Sequence, residues 1–420
     1  MNFILFAKYF FIANNSFMNE NGKKILIFTV TAGQGHNSVA NCLEEKFLSM
    51  GNQVKVVDIF ESYSYKLKTK IVSKGTEFVF KNFKSVYDKI FEDLVIKEDI
   101  FCSIAQKIVK RESFKIFNEV LSYKPDVIIC SHLFPAIVLS NIKATYGLNV
   151  VVSACVTDYC LHPCWESAVF VDYVFSPCEM VEKKLIEKGF KSLQIKDFGL
   201  PVRQEFCLPY SKSVSKQKLG LNKDVFTVCV MIGSGGAGKT INILKELLKV
   251  EQKLQIIVLN GKDERSKRKI DQNLKGFASK HSIVNLGYIN DNHKYLKASD
   301  VLIGKCGGVS ITECLCLNLP QICSENVPAQ EKYNLKYLKK YNACFSYKKP
   351  NEISVLIEKL IGDKKQINII KNNMKKICKK DALHKIYEFL MNFNKPFYDN
   401  IEINKKIFNR NLKKLRKIKI

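Results

Sequence analysis

Twice along this chain an apolar run leads through a glycine-rich loop into a helical pattern. The first copy combines a strand predicted over 24–30 with a helix from Ser38, and the second combines a strand over 226–232 with a helix from Ile241. Each copy begins a β-loop-α unit, and repeats of this unit build a parallel sheet. The chain is therefore expected to be an α/β protein with two halves in tandem.

The length of 420 residues also favours two domains. Further strands are predicted in the first half at 54–57, 126–130, 150–154 and 173–175, and in the second half at 255–259, 283–286 and 301–303. We expect two domains, at 23–205 and 225–370, joined by a linker at 206–224. An apolar extension at 1–22 precedes them, and closing helices at 371–402 and a basic tail at 403–420 follow.

The formal charge of +27 implies a polyanionic partner, either nucleic acid, an anionic membrane surface or phosphorylated ligands, unless it follows from a Lys-rich coding bias. Residues 403–420 carry eight Lys or Arg and no acidic residue, which fits a membrane-binding amphipathic helix or a solvated tail. The aromatic, lysine-rich stretch 62–121 is expected to be helical, as ordinary core or as a wall that meets lipid. No apolar run reaches the roughly 18 residues that span a bilayer. Nucleic acid is not expected, because no recognised binding module is present.

A nucleotide-binding pattern follows the predicted strand over 301–303. The sequence Lys-Cys-Gly-Gly-Val-Ser-Ile-Thr-Glu over 305–313 places Gly307 and Gly308 before a helix and Glu313 inside it. Glycines let backbone N–H groups approach a diphosphate, whose charge the helix N-terminus favours. Glu313 can accept hydrogen bonds from ribose hydroxyls, although a Gly-Gly joint before a helix is also a common structural element.

Residues 233–240 read Gly-Ser-Gly-Gly-Ala-Gly-Lys-Thr and match the P-loop pattern letter for letter. In a P-loop NTPase, Lys239 would contact the phosphates and Thr240 would bind magnesium. Against this, the later strands end in Asn260 and Gly304, where a metal-binding aspartate is expected. A P-loop NTPase stays open as an alternative, and otherwise the loop is a phosphate cradle.

Two polar residues follow strands of the first half. His36 closes the first glycine loop, where it can take a proton from an attacking hydroxyl or anchor a phosphate, or simply cap the helix. Asp158 follows the strand over 150–154 and stands close to His162 and Trp165. These residues indicate a site at the strand ends, although loop capping and packing are the plain alternative.

Taken together, these motifs resemble the monogalactosyldiacylglycerol synthase and processive diacylglycerol glucosyltransferase family, which is related to the peptidoglycan lipid N-acetylglucosaminyltransferases. The resemblance runs from about residue 23 to 370 and rests on six segments, at 31–36, 156–165, 199–202, 260–262, 305–313 and 328–331. It implies a GT-B fold of two Rossmann-like domains facing a cleft. The first domain would bind a lipid acceptor and the second a UDP-sugar.

The resemblance also implies roles for individual residues. His36, with Asp158 as the other candidate base, would act on the acceptor hydroxyl. The positions that match the donor site, from the phosphate loop through uracil and ribose to the sugar hydroxyls, are Gly233, Ser234, Gly235, Ile289, Gly307, Gly308, Val309, Glu313, Gln330 and Glu331. Cys306 stands where the family usually has proline, and Lys239-Thr240 is unusual for the family's loop.

The chemistry that the resemblance implies is inverting transfer of a hexose from UDP-glucose or UDP-galactose to diacylglycerol or a related glycolipid. No cofactor and no obligatory metal are expected. The protein would then be a peripheral protein on an anionic membrane, at the cytoplasmic face of the cell membrane. Transfer from UDP-N-acetylglucosamine to a lipid-linked peptidoglycan precursor is the nearest alternative.

Overall fold

The computed structural model describes residues 22–31, 34–59, 116–233, 236–275, 280–392 and 396–397. It divides into two compact units, Met1–Pro201 with Asp381–Ile420, and Val202–Lys380. The expectations for the N-terminal extension, for 62–115 and for the basic tail lie outside the described residues. Among the described helices, none combines the length and the apolar character that a membrane crossing requires.

The first unit is built on a six-stranded sheet in the order β2-β1-β3-β4-β5-β6, and every neighbouring pair is parallel. Its strands are β1 Lys24–Thr29, β2 Gln53–Asp58, β3 Val127–Cys130, β4 Val151–Cys155, β5 Tyr173–Phe175 and β6 Ile195–Lys196. Its helices are α1 Gln34–Ser49, α2 Leu133–Tyr146 and α3 Glu179–Glu187, with short 3-10 helices at Pro163–Ala168 and Ser192–Gln194. Residues 116–123 are also helical.

The second unit repeats the plan, with the parallel order β12-β11-β10-β7-β8-β9. Its strands are β7 Phe226–Met231, β8 Leu254–Leu259, β9 Ser282–Leu286, β10 Val301–Gly304, β11 Gln321–Ser324 and β12 Phe345–Tyr347. Its helices are α4 Lys212–Lys218, α5 Ala237–Leu247, α6 Glu264–Leu274, α7 Asn292–Lys297, α8 Gly308–Leu317, α9 Ala329–Lys340, α10 Glu352–Gly362 and α11 Lys364–Ile377, with a 3-10 helix at Gln204–Phe206.

The inner strands of both sheets read as mostly apolar runs because helices cover both faces of a parallel sheet. The edge strands β2 and β9 contain polar residues and are largely exposed or half-buried. All four residues of β3 are buried, as are all six of β8. Two parallel sheets in tandem confirm the α/β fold that the repeated strand-to-helix pattern predicts.

Two helices begin earlier than the sequence predicts. α1 starts at Gln34 instead of Ser38, and α5 starts at Ala237 instead of Ile241. The glycines of the two loops suggested later starts, but the first turn of a helix tolerates glycine because its N–H groups have no intrahelical partner. His36 therefore lies at a helix N-terminus, as predicted, but inside the first turn of α1 instead of at the end of the loop.

The polar segment 206–224 is anchored to the second unit. It contains α4, whose Lys216 is 3% exposed and lies 2.8 Å from an Asp300 carboxylate oxygen. The same carboxylate accepts a hydrogen bond from the backbone N–H of Thr227 at 2.9 Å. The segment between the two sheets thus packs against the start of β7 and β10.

The last described helix, α12 Ala382–Asn392, returns to the first unit. Its Tyr387 ring lies 5.2 Å from that of Phe47 in α1, and Phe389 lies 4.8 Å from Tyr173 in β5. The Lys23 ammonium donates to the carbonyl of Met391 at 2.7 Å. The first unit is therefore assembled from both ends of the described chain.

Candidate functional site

A polar network ties the carboxyl ends of β1 and β2 to the first turn of α1. Asn37 donates to the Thr31 hydroxyl and accepts from the Thr29 hydroxyl, both at 2.9 Å. The Thr31 hydroxyl in turn donates to Asp58 at the end of β2. Ala32 and Gly33 of the intervening loop lie outside the described residues, whereas Thr31 before them and Asn37 after them are held by these hydrogen bonds.

The ring of His36, in the helix that follows β1, contacts residues that follow the neighbouring strands β3 and β4. Its Nδ1 lies 2.9 Å from the carbonyl oxygen of Ser131, directly after β3, and 3.1 Å from Oγ1 of Thr157, beyond β4. A carbonyl can only accept a hydrogen bond, so Nδ1 must carry the proton. In the neutral ring Nε2 then keeps a free lone pair, which a general base requires.

The surroundings of His36 keep the ring neutral near pH 7. Burial lowers the pKa of His36 from its ordinary 6.5, while the hydrogen bond to the Ser131 carbonyl and the negative charge of Asp158 oppose this shift. Asp158 therefore interacts with His36 through its charge, as expected for two residues at one edge of the sheet.

Two further histidines lie at the same edge, and backbone bonds fix both rings. His132 caps α2 by accepting from the N–H of Phe134 at Nδ1, at 2.9 Å, and its ring stands edge-on to His36 with centroids 4.4 Å apart. His162 caps the 3-10 helix by accepting from the N–H of Cys164, at 3.2 Å. In their neutral forms both rings carry the proton on Nε2.

Burial dominates the electrostatics of these rings. The pKa of His132 falls well below 6.5 because the ring is buried and because His36 and His162 lie near it. Burial also lowers the pKa of His162, with the positive charge of Lys188 adding to the shift. The edge of the sheet thus presents one imidazole that can accept a proton and two that can donate hydrogen bonds.

In the second unit, a turn between β10 and α8 carries the glycines that the sequence singles out. Gly307 caps α8 in an extended conformation, with φ −74° and ψ 143°, and Gly308 is the first helical residue. A Cβ atom added to Gly307 would meet no other atom within 4 Å. Space therefore lies over this backbone, and Val309 continues the first turn.

Glu313 is buried in α8, with 6% of its surface exposed. Burial raises the pKa of Glu313 from 4.5 to about 7, and the positive charge of Arg203 opposes the rise. The Arg203 guanidinium also donates to the carbonyl of Asn290 at 2.5 Å and to the side chain of Asn292. Arg203 therefore fixes the loop that carries Ile289.

The start of that loop is held by two amide side chains, of which Asn260 is buried and Asn285 is half-buried. Asn260, at the carboxyl end of β8, donates to Asn285 at 2.6 Å and to the carbonyl of Leu286 at 2.9 Å. Asn285 donates to Asp271 of α6 at 2.7 Å. Ile289 is half-buried three residues beyond the end of β9.

Gln330 and Glu331 lie in the first turn of α9. Gln330 is exposed and Glu331 is half-buried. One turn later, the buried Asn334 donates to the carbonyl of Cys306 at 2.8 Å. α9 therefore joins the predicted sugar-contacting pair to the turn before α8.

The second glycine loop follows β7. Gly233 has a left-handed φ of 81°, which favours glycine. A Cβ atom on Gly236 would come within 2.6 Å of the Ile232 side chain, so the chain packs tightly before α5. Ser234 and Gly235, which the sequence also predicts as phosphate contacts, lie outside the described residues. Across the described ranges, no group of three or more His, Cys, Asp or Glu side chains could hold a metal ion.

Comparison with known proteins shows what each half of the chain is similar to. Residues 36–202 match the family model for monogalactosyldiacylglycerol (MGDG) synthase, and 227–388 match the glycosyltransferase family 28 C-terminal domain. Each half of the chain is thus similar to a domain of known glycosyltransferases. A relative, the processive diacylglycerol beta-glucosyltransferase of Bacillus pumilus (strain SAFR-032), is 29% identical over 382 residues, covering 88% of this chain and 95% of the relative.

Solved structures show the same fold. The MurG crystal structure from Acinetobacter baumannii superposes with a TM-score of 0.57 at 12% identity, over 88% of this chain and 100% of that one. HepE from Anabaena, in complex with UDP and glucose, superposes with a TM-score of 0.50 at 14% identity, over 88% and 100%. These structures confirm the predicted GT-B fold. The predicted resemblance to the diacylglycerol glycosyltransferases is confirmed by the two matching models and by the Bacillus relative. The P-loop-like segment lies inside the family 28 domain, which does not favour the NTPase alternative.

Several residues that contact the predicted positions were not predicted from the sequence. Ser131 and His132 were not singled out, although both directly follow β3, where polar residues after a parallel strand deserve inspection. Arg203 and Asn334 were missed because their contacts join segments far apart in the chain.

Proposed function

We propose that this glycosyltransferase moves a hexose from a UDP-sugar to diacylglycerol or a related glycolipid. The observation that carries the proposal is the match to the Bacillus relative, which spans 95% of a protein named for glucosyl transfer to diacylglycerol. The glucosyl in that name supports UDP-glucose over UDP-galactose as the donor. The transferase acting on a lipid-linked peptidoglycan precursor has no such support, because the likeness to MurG at 12% identity concerns the fold alone.

In the proposed mechanism His36 activates the acceptor. Its Nε2 lone pair takes the proton of the acceptor hydroxyl as that oxygen attacks the anomeric carbon of the sugar. The Ser131 carbonyl holds the ring in the required tautomer, at 2.9 Å from Nδ1. Asp158 stabilises the imidazolium that forms, because its negative charge raises the pKa of His36.

The second unit binds the donor and stabilises the leaving UDP. Uracil meets the backbone of Ile289, Glu313 accepts hydrogen bonds from the ribose hydroxyls, and Gln330 with Glu331 contacts the sugar. Backbone N–H groups at the start of α8, at Gly307, Gly308 and Val309, face the diphosphate. Gly233, Ser234 and Gly235 are the further phosphate contacts that the sequence predicts. Preorganised N–H groups of this kind stabilise negative charge as it develops on a leaving group. The sugar is transferred with inversion, because the attacking oxygen and UDP lie on opposite sides of the anomeric carbon.

No metal is required in this scheme, because helix N-termini and N–H groups neutralise the diphosphate. Activity is therefore expected to persist in EDTA. Loss of activity in chelator, with recovery on adding magnesium, would contradict this part of the proposal.

The acceptor lipid implies work at a membrane surface, as a peripheral protein on the cytoplasmic face. The charge of +27 supports attraction to anionic lipids, at about 1 kcal/mol for each basic residue near the surface. Removing 404–420 is expected to weaken binding to anionic vesicles at physiological salt. Unchanged binding would exclude the tail as a membrane contact.

Donor choice tests the proposal directly. The protein is incubated with diacylglycerol vesicles and UDP-glucose, UDP-galactose or UDP-N-acetylglucosamine, and the lipid products are identified by mass spectrometry. A hexosyl-diacylglycerol is expected from UDP-glucose. No glycolipid from any of the three donors would contradict the proposal.

A further inference from the structure

Two buried amide side chains hold the backbone just before the Gly307–Gly308 turn. Gln321, the first residue of β11, donates from Nε2 to the carbonyl of Lys305 at 3.3 Å. Asn334 of α9 donates from Nδ2 to the carbonyl of Cys306 at 2.8 Å. Gln321 is 2% exposed and Asn334 is 0% exposed. A carbonyl only accepts, so the NH2 end of each amide must face it.

These two bonds set the direction of two successive peptide planes. The described chain contains no cis peptide bond. In a trans peptide the carbonyl of one residue and the N–H of the next point in opposite directions. The N–H of Cys306 therefore points away from Gln321, and the N–H of Gly307 points away from the buried Asn334.

The surroundings of the turn suit a bound anion. The first N–H groups of α8 have no partner within the helix, and the helix dipole places partial positive charge there. Space lies over Gly307, where an added Cβ atom would meet nothing within 4 Å. The N–H groups of Cys306 and Gly307, which point away from Gln321 and Asn334, would extend this row of donors in the manner of an anion-binding nest.

We infer that Asn334 and Gln321 are positioning residues, which aim the N–H groups of Cys306 and Gly307 at the diphosphate of the donor without touching it. The inference rests on the proposed function, because it takes the ligand at this turn to be a UDP-sugar. α9 then contributes to donor binding in two ways. Its first turn presents Gln330 and Glu331 to the sugar, and its second turn, through Asn334, fixes the diphosphate turn.

The test compares UDP with uridine, which differ in the diphosphate alone. Asn334→Leu and Gln321→Met remove the donor group from each side chain while keeping its approximate size. Asn373→Leu is the matched control, because Asn373 also donates its amide to a carbonyl, that of Asn342 at 3.1 Å, at the surface of the same unit. Dissociation constants for UDP, uridine and UDP-glucose are measured by calorimetry, and folding is checked by thermal denaturation.

We expect each variant to weaken UDP binding by about ten- to a hundredfold, the effect of losing one hydrogen bond to a charged group. Uridine binding should change by less than about twofold, because Glu313 and the Ile289 loop remain in place. The control should bind both ligands as the unmodified protein does. Two variants on different elements keep the test decisive if one of them folds poorly.

Several results would overturn the inference. Equal UDP affinity in both folded variants would show that the two amides do not aim the donors. Equal weakening of UDP and uridine would indicate general loosening of the unit. Weaker binding of UDP-glucose with unchanged UDP binding would make Asn334 a direct sugar contact. An unmodified protein that binds neither UDP nor uridine would instead refute the proposed function, and the inference with it.

Discussion

The affinity of this protein for uridine is expected to rise between pH 6 and pH 8, because the proposed ribose-binding residue titrates in this range. Burial in α8 raises the pKa of Glu313 from 4.5 to about 7, with Arg203 opposing the rise. The ionised carboxylate can accept hydrogen bonds from both ribose hydroxyls, whereas the protonated acid has lost part of this capacity.

The size of the effect follows from the ionised fraction. With a pKa of about 7, roughly one molecule in ten is ionised at pH 6 and about nine in ten at pH 8. The apparent dissociation constant is the intrinsic constant divided by the competent fraction. Uridine binding should therefore be weaker at pH 6 than at pH 8, by at most about tenfold.

Calorimetric titration at several pH values measures this dependence. Uridine is the appropriate ligand because it has no phosphate, whose own ionisation would change over the same range. Glu313→Gln supplies the control and should bind uridine with an affinity independent of pH. The reasoning fails if binding to the unmodified protein does not change with pH, or if the Gln variant shows the same change.

The raised pKa of Glu313 also makes the folded protein less stable as the pH rises, which is opposite to its effect on uridine binding. Below pH 4.5 the carboxyl is protonated in the folded and unfolded chains and costs nothing. As the pH rises to about 7 only the unfolded chain ionises, so stability falls, by about 3 kcal/mol in total. Glu313→Gln should therefore be more stable than the unmodified protein at pH 8 and lose the advantage near pH 4.

Four further predictions concern the first unit. His36→Gln should lower kcat by about 10²- to 10⁴-fold, as expected for loss of a general base. Because burial lowers the pKa of His36 below its ordinary 6.5, the kcat of the unmodified enzyme should fall on acidification only at a lower pH than an ordinary histidine base would give. His132→Asn retains a cap for α2 and should unfold at the same urea concentration as the unmodified protein, whereas His132→Ala should cost about 1 kcal/mol. Asp172→Asn should cost about 3–5 kcal/mol in urea unfolding, because Lys143, 1% exposed and 2.8 Å from Asp172, would be left as a buried charge. Wild-type stability of this variant would show that the pair contributes little.

Much of the fold could be read from periodicity. β3, β8 and β10 are apolar runs of four to six residues, and each was located within a residue or two. Helix starts were less accurate, because glycine signals a break whether it stands before a helix, as Gly307 does, or inside the first turn, as Gly35 and Gly238 do.

Only part of the candidate site could be predicted from the sequence. Glycines before helices and polar residues after strands could be found, since both follow local rules of parallel sheets. The tautomer of His36 could not be predicted, because it depends on the Ser131 carbonyl, 95 positions away. The raised pKa of Glu313 likewise depends on burial that no local pattern reveals. Contacts between distant segments therefore set the protonation states of the site residues, while the sequence pattern indicates only their positions.

The configuration of the lipid product tests the central proposal most directly. The protein is incubated with diacylglycerol vesicles and UDP-glucose, in which glucose is α-linked, and the purified glycolipid is examined by NMR at its anomeric proton. We predict a β-linked glucosyl-diacylglycerol that is formed equally well in EDTA. An α-linked product, or UDP-glucose consumed without any glycolipid, would contradict inverting transfer to diacylglycerol.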